Sequence, residues 1–353
     1  MIARLLLLAL VPLTLAAGES PAHLSAYYYP WYSHDRHWHE GYLAEEGDPA
    51  LGTYNSRSPS VIRQHLDWSR QGGIDNLVCS WWGPGSWEDD TIRRYIAPVI
   101  SAEANPENPT LCVFYEAEGI LGMDPERGIV FDKETTEKFV EDFAYLAETY
   151  FDLPSYYRID GKPVVYLYLS RTFAGDYANA IARVRAKMRS LGHEVFLIGD
   201  EVYWGDPDET RVALWDAVTA YNLHGPPLFG DQPDQTLFVE ECDTLYQDWV
   251  ELCTRLGLKL IPGFIPGFNN HGADPDKTYY PISRNLTPGA PDTSTLDALA
   301  DVSLRHADPS LKAVVLTSFN EWHEDSQVEP RENADGSPNL QFLEALNAKL
   351  SDR

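Results

Sequence analysis

Two glutamates three residues apart, Glu321 and Glu324, lie in the stretch Thr317-Ser318-Phe319-Asn320-Glu321-Trp322-His323-Glu324-Asp325-Ser326-Gln327-Val328-Glu329-Pro330, with a third at Glu329. Just upstream, Ala313-Val314-Val315-Leu316 is a short apolar, β-branched run, which reads as a buried strand ending where polar residues begin. A carboxyl pair at a buried strand end suits cleavage of a glycosidic bond. One carboxyl delivers a proton to the leaving oxygen and the other assists at the anomeric carbon. The competing reading is a solvated acidic loop in an acidic chain.

Such a pair needs a frame. Strand-like runs fall at Ser25 to Tyr32, Ile74 to Trp82, Thr110 to Glu116, Pro163 to Leu169, Val195 to Gly199, Ala217 to Asn222, Lys259 to Phe264 and Ala313 to Phe319. Helical patterns lie between them. One follows Ser58-Pro59 and stops at Gly72-Gly73; others run Glu134 to Tyr150, Tyr177 to Leu191, and along a stripe of Phe238, Cys242, Leu245, Trp249, Leu252 and Leu256. Eight strands alternating with helices predict an α/β fold, a single-domain (β/α)8 TIM barrel. An open doubly wound sheet is the alternative, but no glycine-rich phosphate turn follows the first strand.

In a barrel the strand ends meet on one rim. That rim gathers Tyr28, Tyr29, Trp31 and Tyr32; Trp81 and Trp82; Tyr115, Glu116 and Glu118; Asp200 and Glu201; Tyr221, Asn222 and His224; and Asn320, Glu321 and Glu324. Aromatic rings pack on apolar sugar faces and carboxylates accept from sugar hydroxyls. Candidate substrate contacts are therefore Tyr29, Trp31, Tyr32, Trp81, Trp82, Glu116, Tyr221, His224 and Asn320, although any one aromatic could equally be barrel packing. The long loops Ser33 to Arg57 and Gly267 to Pro291 follow strands, where an active face gives them a reason to exist.

Phe319-Asn320-Glu321-Trp322-His323-Glu324, continued by Ser326-Gln327-Val328-Glu329-Pro330, resembles the signature of glycoside hydrolase family 99, the endo-α-mannosidases and endo-α-mannanases, and of its family-99-like relatives. Tyr28-Tyr29-Pro30-Trp31-Tyr32 and Ser80-Trp81-Trp82-Gly83 resemble its aromatic motifs, so the likeness spans most of the mature chain. Asp325 departs from the pattern, which usually has Gly. The resemblance implies that Glu321 and Glu324 are the catalytic pair. Glu321 matches the base that engages the 2-hydroxyl of the reacting mannose, and Glu324 the acid/base at the leaving oxygen. It also implies that Arg284, after the seventh strand, faces substrate. An Asn-Glu pair is similar to one used by a large clan of barrel glycosidases at the fourth strand. Here it falls at the eighth, so that pattern does not transfer.

The implied activity is retaining, endo-acting hydrolysis of α-mannosidic linkages in a polysaccharide or oligosaccharide, with no organic cofactor and no metal. Two alternatives remain. One is a same-fold glycosidase acting on another glycan. The other is a non-catalytic glycan-binding or polysaccharide-assembly protein.

Composition bounds the rest. A chain of 353 residues, 44% hydrophobic, can bury one large domain. Its formal net charge of -27 repels phosphate backbones and excludes nucleic acid as a ready partner. Met1 to Ala17, with Arg4, an apolar run and small residues before Gly18, reads as a secretory signal peptide over 1–18. The catalytic domain then occupies 19–353, secreted or periplasmic, with no membrane insertion expected after signal removal. Four cysteines are too few for a disulfide scaffold, although a Cys79–Cys112 bond is open. His34, Asp35, His37 and His39 resemble the first-strand cluster of metal-dependent amidohydrolases, but the partners those enzymes need at later strands are mostly missing. Asn285-Leu286-Thr287 is a glycosylation sequon.

Overall fold

The computed structural model describes residues 22–42, 47–103, 105–221, 223–224, 234–273, 275 and 281–351. The expected signal peptide and Asn222 lie outside the described residues. Eight parallel strands form the core: β1 (His23–Tyr28), β2 (Asn76–Trp81), β3 (Thr110–Tyr115), β4 (Lys162–Leu167), β5 (Phe196–Asp200), β6 (Ala217–Thr219), β7 in two segments (Lys259–Ile261 and Gly263–Phe264), and β8 (Ala313–Leu316). Each pairs with its sequence neighbour, and β1 also pairs with β8, with Ser25 opposite Val315. The break in β7 falls at Pro262, which has no N–H to give a ladder. The first segment pairs with β6 and the second with β8, and the Pro262 carbonyl accepts from Val315 N at 3.0 Å. The circuit is thereby a (β/α)8 barrel, single in its hydrophobic core.

The helices lie outside it: α1 (Pro59–Gln71), α2 (Ala97–Glu103), α3 (Ala117–Leu121), α4 (Lys133–Leu146), α5 (Tyr177–Ser190), α6 (Glu209–Val212), α7 (Thr236–Leu256), α8 (Ser294–His306) and α9 (Gln341–Ser351). Local chemistry sets their ends. Pro59 opens α1 with the φ a first turn requires, and Gly257, at φ 72, closes α7 in the left-handed region. α7 buries Phe238, Cys242, Tyr246, Trp249, Leu252 and Cys253; Leu245 and Leu256, expected on that stripe, are only partly buried. No helix among the described residues is long and apolar enough to cross a membrane.

Strand alternation sorts the aromatic side chains by face. Tyr27, Phe114, Tyr166 and Tyr221 meet inside the barrel, with Tyr27 centred 4.6 Å from Phe114 and 4.9 Å from Tyr221. The intervening residues face helices. Tyr28 donates to His65 Nδ1 of α1 at 2.9 Å, Trp81 donates to Asp89 at 2.9 Å, and Tyr115 donates to Asp142 of α4 at 2.7 Å. Burial of a large side chain stabilises by about 1.5–3 kcal/mol, so this sorting is strongly specified. All four cysteines are buried free thiols, and no Cys79–Cys112 bond forms.

Candidate active site

Beyond β8 the chain folds into a short turn that places both motif glutamates. Ser318 Oγ accepts from Glu321 N at 2.7 Å, and Glu321 Oε1 accepts from His323 N at 3.0 Å. Glu321 thus caps the 3₁₀ turn Trp322–Glu324 with its own side chain. His323 Nδ1 lies 3.2 Å from the same oxygen, and its Nε2 donates to the His37 carbonyl at 3.0 Å. Beneath the turn, Glu329 is fully buried. Its carboxyl receives Tyr54 OH at 2.8 Å, Trp322 Nε1 at 2.7 Å and His65 Nε2 at 3.0 Å. A buried carboxyl met by three donors fixes the turn to α1 and to the first long loop.

Asp325 ends the turn in the left-handed region, at φ 48. Its carboxylate binds Arg284 at 3.0 Å and also Arg331. Arg284 Nη2 further donates to the Asp325 and Gln327 carbonyls, at 2.7 and 3.1 Å. The loop after β7 is thereby clamped to the motif, and Asn269 N reinforces the join by donating to the Glu324 carbonyl at 2.7 Å.

Above the turn a cavity of about 400 Å³ opens, lined by Tyr29, Trp31, Trp82, Phe114, Glu116, Glu118, Gly119, Tyr168, Tyr221, Glu321 and Glu324. Tyr29 and Tyr221 share a hydroxyl–hydroxyl hydrogen bond, and Tyr221 OH lies 3.4 Å from Glu324 Oε2. Trp31 stacks between Tyr29 and His37, each centred 4.6 Å away. Trp82 is 41% exposed, an unusual state for so large a ring. Glu116 is buried, and burial pushes its carboxyl up to about 8. Ser80's hydrogen bond opposes that rise, while Glu321, Glu324 and Glu118 add to it. At neutral pH Glu116 is therefore a carboxylic acid, able to donate. Burial, and then the charges of Glu321, Glu116 and Glu324, hold the Tyr29 phenol well above its ordinary range. The site combines the buried, protonated Glu116 carboxyl with further carboxyl groups at Glu118, Glu321 and Glu324 and three flat aromatic faces. That suits acid/base chemistry on a ring bearing hydroxyls.

Comparison with known proteins gives two family models. Glycosyl hydrolase family 99 matches residues 32–183, and Glycosyltransferase WbsX matches 122–346, more than half of the chain. The chain belongs to the WbsX family, and its N-terminal part matches glycosyl hydrolase family 99. A mouse protein named glycoprotein endo-alpha-1,2-mannosidase is 25% identical over 346 residues, which cover 87% of this chain and 67% of that protein. The human glycoprotein endo-alpha-1,2-mannosidase-like protein is 25% identical over 309 residues, 84% of this chain and 60% of its own. The chain thus spans only about 60% of the length of several curated relatives. Among solved structures, a family 99 endo-alpha-mannosidase from Bacteroides thetaiotaomicron superposes with a TM-score of 0.69 at 20% identity, covering 94% of this chain and 97% of that one. A glycoside hydrolase-like protein gives 0.74 at 20% identity, covering 96% and 97%. At that identity the superpositions speak for the fold.

Within this WbsX family member, the residues singled out by sequence divide into two sets. Glu321, Glu324, Tyr29, Trp31, Trp82, Glu116 and Tyr221 line the cavity. Tyr32, Trp81, Asn320, His224 and Arg284 do not. Tyr32 OH donates to the Asn320 carbonyl at 3.1 Å and accepts from Trp322 N at 3.1 Å. Asn320 pins Tyr29 by both backbone groups, at 2.7 and 3.0 Å. Trp81 faces outward to Asp89 because it lies one residue from Trp82 on the pleat. His224 stacks face to face on Phe268, and burial, with the nearby Arg171 charge, drops it to about 3, so it stays neutral. Arg284, expected to face substrate, is instead 6% exposed and held by the Asp325 carboxylate.

Phe114, Tyr168, Glu118 and Gly119 complete the wall. Tyr168 follows Tyr166 by two, and that alternation was the signal for an inward ring. Of the first-loop histidines, His34 and His39 are exposed and His37 packs on Trp31. Among the described residues no three His, Cys, Asp or Glu side chains group to hold a metal ion.

Proposed function

We propose that this glycoside hydrolase family member cleaves α-mannosidic linkages within a glycan, with retention of configuration and participation of the 2-hydroxyl. The observation that carries the reading is the convergence of Glu321 and Glu324 on one cavity with Tyr29, Trp31 and Trp82. Glu324 donates its proton to the leaving oxygen. Glu321 takes the proton of the 2-hydroxyl, whose oxygen attacks the anomeric carbon as the glycosidic bond breaks. That gives a 1,2-anhydro sugar and a shortened glycan. Glu324, now ionised, accepts a proton from water. The water oxygen opens the anhydro ring, and the 2-oxygen recovers its proton from Glu321. Two inversions leave an α product. The 2-hydroxyl must lie trans to the leaving group, which α-mannose provides and α-glucose does not. The names of the mouse and human relatives support the linkage class. The apolar stretch Met1 to Ala17 supports export, to be checked by N-terminal sequencing of the secreted protein.

The test is NMR of the first-formed sugar across a panel of α-mannans and manno-oligosaccharides. An initial α-anomer with internal cleavage is expected. An initial β-anomer, or release of single terminal residues alone, overturns the mechanism. A second reading, glycan assembly rather than degradation, is favoured by the WbsX match over residues 122–346. Sugar transfer without net hydrolysis in the same assay would select it.

A further inference from the structure

Ser80 follows Cys79 near the end of β2, is 1% exposed and touches two residues of the cavity wall. Trp82 Nε1 lies 2.9 Å from its Oγ, and its Oγ lies 2.6 Å from Glu116 Oε1. The direction of this chain follows from chemistry. An indole N–H can only donate, so Ser80 Oγ accepts from Trp82, and its own hydrogen goes to Glu116 Oε1, the bond that opposes the rise of that carboxyl. Oε1 is then an acceptor, and Oε2 is the oxygen left to meet a ligand hydroxyl. The indole is constrained from a second side. A Cβ on Gly119 of α3 would stand 2.2 Å from Trp82 Cζ3, so the ring lies directly against that glycine. An exposed flat ring is thus held at its six-membered ring by Gly119 and at its indole nitrogen by Ser80.

We propose that Ser80 is a positioning residue for glycan binding: its hydroxyl locks the Trp82 ring and the Glu116 carboxyl into one unit. The ring offers a flat apolar surface to a neutral sugar, and the carboxyl meets that sugar's hydroxyl edge. This rests on reading the cavity as a glycan site. The groups facing Glu116 are Glu321 and Glu324 beyond β8, Glu118 on α3, and the phenols of Tyr29 and Tyr168. A hydroxyl donated to a carboxyl favours the ionised form, so Ser80 holds Glu116 below the value that burial and those carboxylates alone would give.

Two measurements test the unit. The first needs no glycan. The Glu116 carboxyl is titrated by carbon-13 NMR in the free protein, with E116Q to assign the signal. The wild-type midpoint is expected near 8, and S80A should move it upward. The second is the steady-state kinetics of an α-linked manno-oligosaccharide. S80A should raise KM about tenfold, the loss expected for one or two neutral hydrogen bonds, with kcat changed by less than about threefold. S80T, which keeps the hydroxyl, should return both readouts toward wild type. Should S80A fail to fold, W82F carries the titration: without the indole donor, Ser80 is a weaker donor and the midpoint still rises. An unmoved midpoint, or an unmoved KM in a folded S80A, overturns the role of Ser80. A wild type that binds no manno-oligosaccharide overturns the reading of the cavity instead, and the free-protein titration still judges the hydrogen-bonded unit.

Discussion

Glu321 and Glu324 differ in surroundings more than in distance along the chain. Glu321 is 2% exposed and caps its own turn, whereas Glu324 is partly exposed beside the Tyr29–Tyr221 pair. Replacement of either by Gln preserves shape and removes the proton exchange. Turnover should fall by about 10²–10⁴-fold in each variant, with melting temperatures close to wild type. Near-normal turnover in both would refute the assignment. Glu116 makes a separate prediction about stability. Its carboxyl in the folded protein, at about 8, sits above the ordinary 4.5. Between those pH values the folded state binds more protons than the unfolded state, so wild-type stability falls as pH rises. Linkage sets a ceiling for that loss on the order of 5 kcal/mol. E116Q has no proton to lose there. Its melting temperature relative to wild type should climb from pH 5 to pH 8 and level off above, measured by differential scanning calorimetry. A constant difference would mean that Glu116 is already ionised in the native protein. At this scale the sequence marked a motif whose two glutamates reach the cavity, but not each side chain's direction. Trp81 and Trp82 are equally aromatic, and only their one-residue offset on the pleat sends one to Asp89 and the other to the cavity. Arg284 was illegible for another reason: its partner Asp325 is 41 residues away, and no local pattern announces a long-range ion pair.

Among the elements, the post-β8 turn is held by residues from three different segments. Glu329 ties it to His65 on α1 and Tyr54 in the first long loop, and Asp325 ties it to Arg284 beyond β7. Two effects oppose each other at Asp325. A non-glycine residue in the left-handed region costs about 1–2 kcal/mol, which a Gly there would recover. Loss of the carboxylate would leave Arg284 and Arg331 facing each other in a buried site, and breaking such a pair costs about 3–5 kcal/mol. The lost ion pair therefore outweighs the relieved backbone strain. D325G should be less stable than wild type by about 2 kcal/mol, and R284M/D325G should recover part of that loss, as the coupling of neighbours requires. Thermal melts of the four-member cycle check this; a D325G that melts higher than wild type would show that backbone strain outweighs the clamp. The elements themselves were largely legible, because buried parallel strands are apolar runs separated by helical periodicity. Their ends were not. The expected strand over Ala217 to Asn222 narrows to Ala217–Thr219, and β7 breaks at Pro262, because strand ends are set by partners on neighbouring strands.

For the molecule as a whole, ring closure and surface charge act on the same opening. Closure through the divided β7 brings β8 beside β1, so the motif glutamates meet Tyr29 and Trp31 although nearly 300 residues separate them; Tyr29 N to Asn320 Oδ1, at 2.7 Å, records that contact. The fold thereby makes an acidic cavity, lined by Glu116, Glu118, Glu321 and Glu324 with no Lys or Arg among the described lining residues, in a chain of net charge -27. Such a field repels anions at range and is indifferent to neutral ligands. Screening reaches about 10 Å at 0.1 M salt and about 3 Å at 1 M, so repulsion at the cavity mouth should fade across that interval. With a neutral manno-oligosaccharide, kcat/KM should change by less than about twofold between 0.02 and 0.5 M sodium chloride, both roughly bracketing the screening range. A sulfated or uronate-bearing analogue of the same linkage should be poor at low salt and improve about tenfold or more as salt rises, because one to two kcal/mol of repulsion is screened away. Parallel salt series on the two substrates settle it. An anionic glycan that is the better substrate at low salt, and worsens as salt is added, would mean that cationic residues beyond the cavity wall govern recognition and that the neutral-glycan reading is wrong.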